Sequence, residues 1–539
     1  MLARLLALFL ASSLAFAQSP ALLNGLSDHH HPVKTSSPEA QTFFDQGFRL
    51  LYAFNHDEAE RAFRRAAQLD PKMAMAWWGV SYAVGPNYNL PVDAAREKIA
   101  YDAVQKALAL SAGGPEAERA YIEALARRYS NDPNPDYSQL ARNFEDAMRQ
   151  LSQRYPDDLD AATLFAESLM NLRPWELWNK DGSPAPGTSE IVSVLESVLR
   201  RDPHHIGANH YYIHAVEASS SPDRALPSAG RLGTLAPAAG HLVHMPGHVY
   251  IRVGDYEAMR RSNIAAALTD ETYLKTAPPN ILGGIYSLMY YSHNLHFIAV
   301  AAAMEGRYAE AHSAADRLAG HIAPHAPAMP GVESFMSAPL VADLRFHRWD
   351  NVLKMPEPPA AWKITRILWG YGRGMAFAAT GKIADAEREL AAVTEAERTT
   401  PPDVIFVAPH NNKTKNILKI ARDVLAARIA EARGDNASAI ALLRAAALVE
   451  DSLNYGEPPD WYFPVREALG GVLLRSGDAQ QAEQVFRDDL ERTRRNPRSL
   501  FGLAESLKAQ GKTYDAEQVR RRFQAEWKNA DTELKISDL

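Results

Sequence analysis

Between His204 and Tyr256 the chain carries two histidine pairs, His210 with His214 and His244 with His248, and each member of the second pair falls 34 residues after its counterpart. Histidines four apart share one face of a helix. A period of 34 belongs to helix-turn-helix units that stack into a solenoid, where each unit buries its apolar face only against its neighbours. The pattern therefore predicts two adjacent, roughly parallel helices that present four imidazoles to a common space.

The same period runs through most of the chain. Phe43, Gly47, Leu50, Ala59, Phe63, Ala66 and Pro71 fall at positions 4, 8, 11, 20, 24, 27 and 32 of one repeat. Small residues at positions 8 and 20 let two helices pack closely, and the proline ends the second one. Related patterns follow at Trp77, Ala103 and Ala107, at Ala225, Ala229, Leu232 and Pro237, at Gly306, Tyr308 and Ala311, and at Gly470, Gly477, Ala482 and Phe486. This order of residues resembles the tetratricopeptide repeat consensus. It implies an all-α, tetratricopeptide-type α-solenoid of about a dozen helix pairs over residues 37–527, with a C-terminal tail at 528–539. The segments MAMAWWGVSYAVGPNYN, EPPDWYFPVREALGGVLL and HLVHMPGHVY are similar to stretches in exported bacterial members of that family. That likeness implies a fold and assigns no activity, since repeat solenoids serve unrelated roles.

In the tetratricopeptide family, positions 2, 5, 9 and 12 of the first helix line the concave groove. By that resemblance His210, His244 and His296 share position 5, His214 and His248 share position 9, and Glu167 stands at position 9 one repeat earlier. Glu217 falls at position 12, while His241 and His293 fall at position 2 and are expected as groove residues.

The chemistry is narrowed by what the chain lacks. There is no cysteine, so a metal would be held by nitrogen and oxygen alone. Neutral imidazole suits copper, zinc or iron, and helices packed about 8–10 Å apart bring such side chains together. The expected site is His210, His214, His244 and His248, with His296, Glu167 or Glu217 completing it or orienting an imidazole. Its alternatives are a metal-free scaffold for a protein or peptide partner, or a periplasmic metal carrier; whether the site is catalytic stays open. His56, His204, His205, His312, His321, His325, His347 and His410 share no register and read as ordinary packing or surface residues. Trp175 and Trp178 stand in a long turn, either as a wall over the groove or as loop packing. Pro246 interrupts the second histidine helix and either re-aims His248 or forms a first helical turn.

Residues 1–17 read as a secretory leader, with Arg4, an apolar run from Leu5 to Leu10 and the small-residue exit Ala15-Phe16-Ala17. A periplasmic or secreted protein is expected, with a flexible arm at 18–36 whose tract His29-His30-His31 is solvated. No later stretch suits a membrane span. A formal charge of −7 gives no basic footprint for nucleic acid. No phosphate-binding loop, nucleophile elbow or H-E-x-x-H motif occurs.

Overall fold

Large side chains set into the gaps left by glycines determine how the helices stack. A computed structural model describes residues 20–539 apart from Val92, Ala408 and Tyr462; the leader expected at residues 1–17 lies outside the described residues. Phe63, wholly buried on helix His56–Leu69, lies over Gly47 of the preceding helix and Gly79 of the following one. A Cβ at Gly47 would stand 2.8 Å from the Phe63 ring, and one at Gly79 would penetrate it. The arrangement recurs at the other end of the chain, where Phe486 fills the space beside Gly470 and Gly502. Here a small residue is required for close approach of two helices.

Turns inside the repeats have their own chemistry. Gly254, Gly434 and Gly477 adopt the left-handed conformation with φ of 77°, 80° and 85°, which costs glycine little. Each is followed by an aspartate, Asp255, Asp435 or Asp478, whose carboxylate caps the next helix by accepting from the backbone N–H three residues on. The product is an all-α solenoid in which helices pack chiefly on their sequence neighbours. No β-strand forms among the described residues, beyond isolated bridges. None of the described helices is long and apolar enough to cross a membrane.

The superhelix winds far enough for its last repeats to meet its middle ones. Tyr256 donates its hydroxyl hydrogen to the Arg494 carbonyl at 3.0 Å, Trp527 lies against Gly306, and Asp531 accepts from the Tyr308 N–H at 2.7 Å. Residues 528–539 thus dock on the solenoid, with Leu539 buried beside Gly471. The concave side becomes a chamber of about 1470 Å³.

The N-terminal arm departs from the flexible, solvated segment expected. Its Gly25 carbonyl accepts from the Ala238 N–H at 3.0 Å, Leu26 is buried, and His30 Nδ1 sits 2.8 Å from Asp45 Oδ2. Specific acceptors at these sites outweigh the entropy of a free end.

The glycine fit is testable. Gly79→Val should destabilise the protein by about 1–3 kcal/mol through overpacking, whereas Gly320→Ala, with nothing within 4 Å of a new Cβ, should raise stability by up to about 1 kcal/mol. Urea unfolding followed by circular dichroism checks both; equal effects would contradict the packing described.

Candidate metal centre

Four helical segments bring six histidines together. Helix Ile206–Val216 carries His210 and His214, helix Gly240–His244 carries His241 and His244, and helix Pro246–Val253 carries His248. Pro246 cannot donate a backbone hydrogen bond. The helix breaks at Met245, and the His248 N–H reaches only the Met245 carbonyl, at 3.1 Å. His293 arrives on helix Ser292–Met304, directly after a π-helical turn at Tyr286–Tyr291. Such turns shift the register of the following residues and recur at functional sites.

The histidines form two triads. In the first, His210, His214 and His241 have ligand atoms within 4.8 Å of one another; in the second, His244, His248 and His293 do. The two groups adjoin, with ring centroids 5.4 Å apart for His214 and His248 and 5.6 Å for His241 and His244. His214, His241, His248 and His293 line the chamber.

Hydrogen bonds fix the ring tautomers. His210 Nδ1–H donates to the Tyr52 carbonyl at 2.6 Å, and His244 Nδ1–H donates to Asn263 Oδ1 at 2.6 Å. Glu217 accepts from His214 Nδ1 at 3.0 Å through one oxygen and from His248 Nδ1 at 2.7 Å through the other. Each of these four rings is left with Nε2 turned inward, the arrangement by which a carbonyl or carboxylate behind an imidazole orients it towards a metal. His210 and His241 meet Nε2 to Nε2 at 3.1 Å, and His244 and His248 at 2.7 Å. His214 Nε2 and His241 Nδ1 are buried with no hydrogen-bond partner.

The electrostatics favour neutral rings in most of the cluster. Burial, then repulsion from neighbouring histidines, holds His210, His241, His244 and His293 well below the ordinary histidine value. Burial also lowers His214 against the pull of Glu217. Burial would depress His248 too, but Glu457 and Glu217 outweigh it and raise the ring to about 10. Without a metal, His248 is therefore an imidazolium that donates Nε2–H to His244. A metal ion would take the place of that proton.

Glu217 is placed behind the histidines, as a brace. Burial would raise its carboxyl, and His214 and His248 overcome this and bring it down to about 2. The remaining candidates are drawn elsewhere. Glu167 accepts from the Tyr82 hydroxyl at 2.6 Å and from Asn171 Nδ2 at 2.5 Å, and belongs to neither triad. Tyr82 reaches across from an earlier repeat and claims its carboxylate. His296 lines the chamber and packs its ring on Phe335 at 5.6 Å, outside both triads. His241 and His293, expected only as groove residues, stand within the triads.

Sequence reasoning missed Glu457, whose Oε2 lies 2.7 Å from His248 Nδ1. Its loop is pinned by His410, which pairs through Nδ1 with Asp460 at 2.7 Å and accepts from the Glu457 N–H at 3.3 Å. No local pattern links residues 410 and 457 to residue 248. Trp175, left-handed at φ 63° and strained for so large a residue, stacks on Tyr88 at 5.7 Å beside His214. Trp178 instead donates to the Ala215 carbonyl at 2.8 Å and packs its loop.

A separate cluster surrounds Asp160. His29 Nε2, His205 Nε2 and His31 Nδ1 lie 3.1, 3.2 and 2.7 Å from its oxygens, and the Tyr52 hydroxyl donates at 2.7 Å. His29, Asp160 and His205 are close enough to share an ion. However, His205 Nδ1 accepts from the Ala208 N–H at 3.1 Å, so in the neutral ring Nε2 carries hydrogen and faces the carboxylate. The cluster reads as a clamp that ties the N-terminal arm to Tyr52, whose carbonyl orients His210.

No family model matches the chain, and no curated protein matches it. Solved structures with similar helical arrays include the human IFIT1 dimer with m7Gppp-AAAA, 11% identical over 92% of this chain and 91% of that one with TM-score 0.34. Yeast Tom70 is 13% identical over 90% of both chains with TM-score 0.29. The APC/C hetero-tetramer Cut9–Hcn1 is 14% identical over 93% and 75% with TM-score 0.30. This chain is an all-α solenoid of stacked helices; its histidine groups are of a kind that can hold metal.

The clamp has a pH signature. Burial would raise Asp160, but His29, His205 and His31 hold it well below the ordinary carboxylate value; burial would lower His31, but Asp160 raises it. The Asp160 contribution is complete above its unfolded value and is lost as pH falls through the depressed folded one. The His31 contribution is complete below its unfolded value and is lost as pH rises through the raised one. Thermal midpoints of wild type and Asp160→Asn should therefore differ most at mildly acidic to neutral pH and converge towards both extremes. A difference independent of pH would refute the ionic clamp.

Proposed function

We propose that this chain is an exported metalloprotein whose solenoid holds a histidine-bound transition-metal centre in the wall of its chamber. The supporting observation is the set of inward Nε2 atoms on rings whose Nδ1 atoms are committed to acceptors, together with the partnerless buried nitrogens of His214 and His241. A buried polar atom without a partner costs about 1–3 kcal/mol; a metal ion would satisfy both atoms. With no cysteine in the chain the donor set is imidazole, which suits copper, zinc or iron. The leader at residues 1–17 supports delivery to the periplasm or exterior.

Protein expressed with its leader and without a histidine tag should retain a transition metal through gel filtration, measured by mass spectrometry of the metals. His214→Ala and His248→Ala should lose it with helix content unchanged. Metal-free wild type after repletion, or equal metal in all three proteins, would sink this reading. Intact-mass analysis of the exported protein should show residues 1–17 removed; a retained Met1 would reject the leader.

A further inference from the structure

Resting on the metal reading, we infer that the centre is a copper pair, one ion on His210, His214 and His241 and the other on His244, His248 and His293, which passes electrons from an uncharged aromatic diol to dioxygen. Six donors divided into two complete triads exceed what one ion takes from imidazole. The triads touch through His214 with His248 and through His241 with His244. Such adjacency fits two-metal sites, whose ions stand about 3.5–4 Å apart.

Charge selects copper. As ligands all six rings would be neutral, and the carboxylates Glu217 and Glu457 face His214 Nδ1 and His248 Nδ1 from behind. Reduction of two adjacent ions from the divalent to the monovalent state lowers their mutual repulsion about fourfold, as the product of charges, which favours such a pair as an electron acceptor. Among the metals that imidazole suits, copper offers a monovalent state. Two adjacent ions that each change by one electron make a two-electron couple.

The chamber indicates the reductant. Trp175 and Tyr88 stack beside His214, and Tyr290 meets the His241 ring at 4.8 Å. Asn89 ties this wall together, accepting from Trp175 Nε1 at 3.1 Å and donating to the Tyr290 hydroxyl at 3.3 Å. Of the chamber's arginines, Arg345, Arg428, Arg475 and Arg498 are paired with Glu467 or Glu431, and the buried Arg128 has Glu167 and Glu97 beside it. An uncharged flat ring fits this surface better than an anion. The step balances: two Cu(II) take two electrons from the diol, which releases two protons and becomes a quinone. The two Cu(I) then return two electrons to dioxygen, which takes up two protons as hydrogen peroxide.

Apoprotein titrated with Cu(I) without oxygen should bind two equivalents, and His210→Ala or His293→Ala should bind one. After oxidation the wild type should hold two coppers with little Cu(II) electron paramagnetic resonance signal, because paired ions couple; each single-triad variant should show a full one-copper signal. With 4-methylcatechol the loaded wild type, freed of loose copper, should consume oxygen and form peroxide one for one. Both variants should lose at least tenfold in rate, and Trp175→Leu should raise KM while leaving the copper content at two. No copper bound by wild type would overturn the copper assignment, while no copper, zinc or iron retained would defeat the metal reading itself. One copper per wild-type chain would leave that reading standing and overturn the pair. Two coppers without coupling, or without oxygen uptake, would overturn the redox assignment.

Discussion

A single buried carboxylate, Glu217, sets the geometry of the histidine cluster. It caps helix Ile206–Val216 and accepts from His214 of its own repeat and His248 of the next. A carboxylate held this far from water is tolerated only when its oxygens are paired, so both rings are bound to it through Nδ1. Their Nε2 atoms then have one direction left, inward. Tyr52 and Asn263 impose the same orientation on His210 and His244 with neutral acceptors. The cluster is preorganised by the groups behind it.

The solenoid supplies the rest by winding on itself. In an open array each repeat meets only its neighbours, whereas here Tyr256 reaches Arg494 and Gly306 carries Trp527. That return brings Glu457 against His248 and the His410 loop against Trp175. It turns a groove into a chamber with the triads in one wall. At the other end the Asp160 clamp fastens the N-terminal arm to Tyr52, and Tyr52 in turn holds His210.

The helical class and the repeat register were legible because a solenoid writes its packing locally: Phe63 needs Gly47 and Gly79, and each aspartate cap follows its left-handed glycine within the same turn. The i, i+4 histidine pairs were legible for the same reason. The division of labour among the candidates was not. Glu167 occupies the expected repeat position but is bound by Tyr82, 85 residues away in sequence. His205, which shares no register with the pairs, joins His29 and His31 on Asp160.

Sequence by itself determined that the chain folds as stacked helix pairs and that His210, His214, His244 and His248 fall on neighbouring helices, because a 34-residue period and a four-residue spacing are properties of the backbone. Only the tertiary structure decided that His241 and His293 complete two triads, that Glu217 braces while Glu167 stands apart, and that Glu457 closes the site. Those outcomes depend on the break at Met245, the π-helical turn before His293 and the accumulated twist of the superhelix. Each is a small local angle whose effect grows with distance along the chain, and no short window of sequence contains it.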